Sequence, residues 1–277
     1  MAKNAPQPDR YALVGHPVEH SRSPLIHQLF AKQTGQYLCY ELIDAEPRSF
    51  ETAVRGFFAA GGLGMNVTVP HKEAAFELTD EPSDAATKAR AVNTLSFMDG
   101  VLYGDNTDGV GFIRDVTVNQ HQNIDGRSVL LLGAGGAARG ILARLLEANP
   151  SELVLANRTA ERADQLVEQF SGHGSLSVMT FADLAQRAPF DILINATAAG
   201  LKGEAAPFPA AIVGPESFCY DLVYSLKDTP FVTWARNNGA RRAVQGWGML
   251  VEQAAESFYI WRRKRPDTGP ILRQLVR

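Results

Sequence analysis

Three polar clusters carry residue types that chemistry needs: Ser21-Arg22-Ser23, the run NVTVPHK from Asn66 to Lys72, and Asn93 with the NTDG run from Asn106 to Gly109. Each follows a strand candidate, and open α/β sheets hold their ligands outside the carboxyl ends of the strands. Taken singly, each has a plain structural account. Ser23 caps a helix, Lys72 is a solvated lysine, and Asn93 and Asp108 form turns. Taken together they suit a small polyol, because hydroxyls and amides from Ser21, Ser23, Thr68, Asn93 and Asp108 can each bond a substrate hydroxyl and reject analogues that lack it. Reducing a carbonyl also needs a proton donor beside the hydride acceptor. A lysine whose ammonium is destabilised by partial burial can serve, which makes Lys72 beside Asp108 the candidate acid/base pair.

A hydride source is suggested by GAGGAA at 133–138, which follows the buried-strand run VLLL at 129–132 and opens a helix candidate from Ala137 to Leu146. Gly133 allows a sharp turn, Gly135 leaves no side chain between backbone and a pyrophosphate, and Ala138 permits close packing of helix on sheet. The helix N-terminus then offers free N–H groups and a positive dipole end to the anion. The next strand ends in Asn157-Arg158-Thr159. An NAD site needs a carboxylate near this position for the ribose 2′-hydroxyl, whereas an NADP site needs a cation for the 2′-phosphate. A guanidinium at Arg158 can clamp that phosphate, with Arg162 one helical turn later as reinforcement. A surface arginine on a solvated loop accounts for the same residue.

These residues must be held by two α/β units. Strand candidates at Tyr11–Val14, Leu38–Ile43 and Gly64–Thr68 alternate with helical stretches, the first opening at Ser23-Pro24 with Ser23 as N-cap and Leu25, Ile26, Leu29 and Phe30 on one face. Met98-Asp99-Gly100 between two apolar runs reads as a hairpin. From Ser128 the alternation restarts, with strands at 129–132, Leu153–Ala156, Asp191–Asn195, Phe218–Val223 and Ala243–Val244. The expected architecture there is a doubly wound parallel sheet. The stretch from Gly248 to Trp261 is an amphipathic helix, with Leu250, Ala254, Phe258 and Trp261 on one face.

Composition narrows the partners. The 277 residues are 45% hydrophobic, enough for two cores, and the formal charge of −3 without any long Lys/Arg run argues against a nucleic-acid partner. No apolar run reaches the roughly 18 residues of a membrane span, and the polar start MAKNAPQPDR has no secretory core, so a cytoplasmic protein with a small-molecule ligand and no membrane association is expected. Cys39 and Cys219 lie in apolar strand-like runs without metal-ligand spacing and read as buried thiols; no metal site is expected. A monomer and a homodimer fit the composition equally well.

At the polar clusters the chain resembles the shikimate dehydrogenase family. The matching motifs are SRSP at 21–24, NVTVPHK at 66–72, AVNT at 91–94, GDNTDG at 104–109, GAGGAA at 133–138, NRT at 157–159, NAT at 195–197 and GWGMLVEQA at 246–254. The resemblance implies reversible reduction of 3-dehydroshikimate to shikimate with NADPH, on the route through chorismate to the aromatic amino acids. It implies a substrate domain at 1–108, a Rossmann-type NADP domain at 109–245, and a helical segment at 246–277 that returns to the substrate domain. Lys72 and Asp108 would be the catalytic pair. Ser21, Ser23, Thr68, Lys72, Asn93, Asp108, Tyr224 and Gln253 would bind substrate. The cofactor would meet Gly133, Ala134, Gly135, Gly136, Ala137, Asn157, Arg158, Thr159, Thr197, Leu222, Gly246 and Met249, with Asp84 as a further contact.

Two positions depart from the family pattern: Arg90 replaces a glycine before AVNT, and Leu226 replaces a proline after Tyr224. Arg90 could crowd the site, bind a carboxylate or turn outward. Leu226 bears on the pose of Tyr224. Two alternatives accompany the main reading: a quinate/shikimate enzyme with relaxed cofactor use, and a sensor on the same fold that binds without turnover. A sensor should have lost its acid/base pair, and Lys72 and Asp108 are both present.

Overall fold

The computed structural model describes residues 7–170, 172, 176–197 and 208–275. The chain divides into two compact units, Met1–Thr107 with Gln253–Gln274, and Asp108–Glu252 with Leu275–Arg277.

In the first unit β1 (Asp9–Gly15), α1 (Ser23–Thr34), β2 (Leu38–Asp44), α2 (Phe50–Ala59), β3 (Gly62–Val67), α3 (Lys72–Leu78), β4 (Glu81–Pro82), α4 (Asp84–Ala89), β5 (Thr94–Met98) and β6 (Val101–Asp105) follow one another. Their sheet runs β2-β1-β3-β5-β6-β4. It is mixed, with β3/β5 and β5/β6 antiparallel and the other pairs parallel. The β5–β6 turn has Asp99 and Gly100 at φ 53° and 84°, the two left-handed residues that a two-residue hairpin needs to match strand twist. α1 ends because Gly35 adopts φ 64°, where its N–H caps the Ala31 carbonyl. Ser23 is the first helical residue rather than the cap, and the Ser21 hydroxyl accepts its N–H at 3.2 Å. One short side chain suffices for this, and Ser21 is the one already turned back toward the helix.

The second unit starts with α5 (Asp108–Arg114) and a π-helical turn, Asp115–Asn119. Then come β7 (Ser128–Leu132), α6 (Gly136–Glu147), β8 (Glu152–Ala156), α7 (Ala160–Gln169), β9 (Leu176–Met179), α8 (Phe181–Leu184), β10 (Ile192–Asn195), β11 (Phe218–Asp221), α9 (Pro230–Asn237) and β12 (Arg242–Gln245). The order β12-β11-β10-β7-β8-β9 is parallel throughout and reverses at β7, as in a doubly wound nucleotide fold. Val129 and Leu131 enter one core with Leu153, Leu155 and Ile194, while Leu130 and Leu132 enter another with Val154, Ala156 and Leu193. Both faces are covered, which is why VLLL shows no alternation.

α10 (Trp247–Arg262) and α11 (Gly269–Leu275) complete the chain, and the division between units falls inside α10. From Gln253 onward α10 lies on the first sheet, where Trp261 stacks on Tyr11 at 4.8 Å and donates from Nε1 to the Leu95 carbonyl at 3.1 Å. Cys219 is buried, with its thiol pushed up to about 12 by desolvation. Cys39 is exposed, contrary to the expectation from its apolar neighbours, because β2 is an edge strand with alternate residues facing solvent.

Candidate active site

In the first unit the antiparallel pairing of β3 with β5 sets Asn66 opposite Thr94, so the end of one strand and the start of the other share a corner. The Asn93 carbonyl accepts the Val67 N–H at 2.8 Å there. Asn93 is only 2% exposed, and its amide is hydrogen-bonded at both ends. Oδ1 accepts from the Thr107 N–H at 2.9 Å and the Thr94 hydroxyl at 2.9 Å, and Nδ2 donates to Thr107 Oγ1 at 2.9 Å and Gln253 Oε1 at 3.3 Å. Gln253 is thus brought from the far end of the chain to Asn93.

Behind this corner Asn66, 5% exposed, accepts the Tyr40 hydroxyl at 2.8 Å and donates to Ser257 Oγ at 2.9 Å. His27 stacks on Tyr40 at 4.2 Å, and burial drives its pKa down to about 3, so it is a neutral core ring at physiological pH. Thr68 follows β3, and a side chain on Gly15 of the neighbouring β1 would collide with its methyl group. Lys72 is the first residue of α3. Ser21 and Ser23 lie 3.2 Å apart, Oγ to Oγ, at the start of α1. Asp84 is the exposed first residue of α4, where Ser83 caps the helix by accepting the Ala86 N–H at 3.1 Å.

The second unit gathers its candidates on one edge. Leu132, Ala156, Asn195, Asp221 and Gln245 end five adjacent strands and pair with one another in register. Gly133, Asn157, Leu222 and Gly246 are the residues that come next, and Thr197 follows Asn195 by two. At Gly133, φ is 106°, and a Cβ would stand 3.0 Å from the Ala196 carbonyl. Gly135 and Gly136 differ: a Cβ on either would meet nothing within 4 Å, and neither has a positive φ. Protein packing does not require glycine at these two positions. Open space beside the backbone at the start of α6 is what a dinucleotide pyrophosphate needs. Asn157 bonds the Thr159 carbonyl at 2.8 Å, and Arg158 is exposed beside it.

Asn195 lies in the NAT motif at 195–197 but is given no role by the sequence reading, and Asp221 is not singled out at all, although a polar residue ending each of the apolar strands ILIN and FCYD is a usable signal. The Thr197 hydroxyl donates to Asn195 Oδ1 at 2.7 Å, and Asn195 Nδ2 donates to Asp221 Oδ1 at 2.9 Å. Asp221, fully buried, also accepts from the Thr229 hydroxyl at 2.6 Å and the Val223 N–H at 3.1 Å. Burial raises its pKa against the effect of those bonds. Asp108 opens α5 at 3% exposure, its carboxylate against Gly140 of α6.

Family models match three stretches: a shikimate dehydrogenase substrate binding domain at residues 13–95, a shikimate / quinate 5-dehydrogenase at 115–202, and a shikimate 5′-dehydrogenase C-terminal domain at 246–276. The shikimate dehydrogenase (NADP(+)) of Alkalilimnicola ehrlichii is 54% identical over 267 residues, covering 96% of this chain and 98% of that protein. The chain belongs to the shikimate dehydrogenase family. Among solved structures of similar chains, an Ael1 enzyme from Pseudomonas putida superposes with a TM-score of 0.89 at 46% identity, covering 97% of this chain and 98% of that one. The Thermus thermophilus shikimate 5-dehydrogenase, in complex with NADP(H) and shikimate, gives 0.84 at 33% identity, with coverage of 96% and 97%.

Within this shikimate dehydrogenase family chain the two departures have structural answers. Arg90 ends α4 at φ 46° and ψ 40°, the left-handed region that favours glycine. Its side chain is exposed and lies 3.9 Å from Glu77, so it turns outward. Leu226 is 78% exposed, while the Tyr224 ring rests on Trp247 at 4.7 Å. Among the described residues no group of three or more His, Cys, Asp or Glu could hold a metal, and no helix is long and apolar enough to cross a membrane.

Proposed function

We propose that this chain catalyses the reversible, NADP(H)-dependent reduction of 3-dehydroshikimate to shikimate, with most substrate contacts in its first unit and most cofactor contacts in its second. The observation that carries this reading is the open cradle at Gly135 and Gly136, in a chain whose relatives act as shikimate dehydrogenases (NADP(+)). NADPH, when bound, would supply the hydride for the carbonyl carbon. Lys72 gives the proton to the carbonyl oxygen and takes it back in the reverse direction, and Asp108 supports that lysine. Ser21, Ser23, Thr68, Asn93, Tyr224 and Gln253 bind the hydroxyls and carboxylate of the substrate. The Asn93 bonds to Thr107, Thr94 and Gln253 hold that amide in one orientation before substrate arrives. Gly133 to Ala137, Thr159, Thr197, Leu222, Gly246 and Met249 would hold the cofactor, with Asp84 as a further contact, and Asn157 with Arg158 would receive the 2′-phosphate.

A four-way assay tests this: shikimate or quinate against NADP or NAD, read by absorbance of the reduced cofactor. Turnover of shikimate with NADP is the expected outcome, and its absence at high enzyme concentration sinks the reading. Quinate turnover with NAD at a comparable rate would favour the relaxed enzyme. Lys72→Ala should lower kcat by about a hundredfold or more with shikimate binding retained. Arg158→Ala should raise the KM for NADP by about tenfold or more and leave the KM for NAD unchanged.

A further inference from the structure

The start of α10 is fastened by a device that no binding role accounts for. The Met249 N–H, one of the first-turn donors that a helix leaves without an internal partner, donates to the Tyr220 hydroxyl at 3.2 Å. That hydroxyl donates in turn to Asp115 Oδ2 at 2.5 Å. Tyr220 and Asp115 are both fully buried. Asp115 opens the π-helical turn, and its Oδ1 accepts from Asn119 at 3.0 Å and Gln120 at 3.3 Å. A side chain at Gly248 would collide with the same carboxylate, so the first turn of α10 is pressed directly onto it. Glu252, 2% exposed and further along α10, is held by Arg114 at 2.8 Å and Asn119 at 3.0 Å. One buried carboxylate on the π-helical turn, Asp115, and one on α10, Glu252, thus fasten the helix to the stretch from Arg114 to Gln120.

Burying Asp115 with no cation against it among the described residues is costly, and desolvation raises its pKa accordingly. Apolar packing would hold a helix without that cost. What a hydrogen-bonded chain adds over packing is a fixed axial position, since it leaves one donor and one acceptor geometry for the backbone at Met249. That position matters if Gly246 and Met249 meet the nicotinamide, where an error of about 1 Å can cost two orders of magnitude in rate.

We infer that Asp115 and Tyr220 are positioning residues for hydride transfer, setting the start of α10 through the Met249 backbone. This rests on the proposed contact of Gly246 and Met249 with the cofactor. Tyr220→Phe removes only the hydroxyl and keeps the ring that packs on Phe112 at 5.2 Å. The variant should fold, with kcat lowered about tenfold, the KM for 3-dehydroshikimate unchanged, and a larger primary isotope effect from NADPH deuterated at the transferred position. A purely structural hydroxyl would change the melting temperature and leave the isotope effect alone. Asp115→Ala should show the same kinetic pattern more severely; where it fails to fold, Tyr220→Phe decides by itself. Met249→Ala tests the reading beneath. If it slows turnover while Tyr220→Phe leaves kcat and the isotope effect unchanged, the inference is overturned and the cofactor contact stands. If neither variant changes the kinetics, the contact at Met249 is overturned and the inference with it.

Discussion

The carboxylate of Asp108 occupies the space that a side chain on Gly140 would need: a Cβ there would stand 2.7 Å from Asp108 Oδ2 and 3.0 Å from its Cβ. The crossing is tight in both directions, since a Cβ on Gly109 would stand 2.9 Å from the Gly140 carbonyl. α5 and α6 can approach this closely because each presents a glycine at the contact, and the proposed catalytic carboxylate is seated by that approach. Gly140→Ala should therefore act on catalysis. Helix propensity favours alanine by about 1 kcal/mol, while overpacking costs about 1–3 kcal/mol, so the overpacking should win. The expected result is a slightly lower melting temperature and a kcat reduced well beyond what that loss of stability explains. Unchanged kcat would show that Asp108 tolerates displacement.

Gly135→Ala should show the opposite signature. Nothing lies within 4 Å of the added methyl, and φ of −92° suits any residue. Loss of unfolded-state entropy stabilises the variant by about 0.4–1 kcal/mol, and a poorer N-cap offsets a similar amount. Thermal unfolding should stay within about 1 kcal/mol of wild type, while the KM for NADP rises at least tenfold if the pyrophosphate needs that space. An unaltered KM would remove the cradle from cofactor binding.

Arg90→Gly should stabilise the protein. The left-handed conformation costs a side-chain-bearing residue about 1–2 kcal/mol, and the extra unfolded-state entropy of glycine returns about 0.5–1 of that. The exposed pair with Glu77 at 3.9 Å contributes little. A higher denaturant midpoint with unchanged kcat is expected; a lower midpoint would mean that Arg90 makes a contact worth more than its strain.

His16 and Asp44 form an exposed pair, Nδ1 to Oδ1 at 2.6 Å. The hydrogen bond to Asp44 raises the His16 pKa, and the same bond lowers that of Asp44. A raised histidine contributes stability below its unfolded pKa and loses it as pH rises through its folded one. A lowered carboxylate contributes above its unfolded pKa and loses it as pH falls. The pair should therefore act between about pH 4 and pH 6.5. The melting-temperature difference between wild type and His16→Gln should be largest in that window and shrink as pH rises through the raised pKa of the imidazole. A difference independent of pH would assign the contact to packing.

Much of this molecule was legible in its residues because the signals are local. VLLL followed by GAGGAA located β7 and the turn into α6, Asp99-Gly100 located the β5–β6 hairpin, and the ordered motifs named the family before any contact was seen. In each case neighbours along the chain set the conformation. Short-range reading went astray where the sheet decides: Cys39 sits in an apolar run but on an edge strand, and Ser21 rather than Ser23 serves the start of α1. Only the tertiary structure could join Asp115 to Tyr220 and Met249, Asn66 to Ser257, and Asp108 to Gly140. Those partners are far apart in the chain, and the identity of either residue carries no mark of the other. Whether a buried carboxylate is satisfied, or a glycine is needed for its backbone, for a close helix crossing or for a ligand, depends on what folding brings within a few ångströms. Local sequence thus determined which elements form and what chemistry they carry, and long-range packing decided which side chains are held still enough to use it.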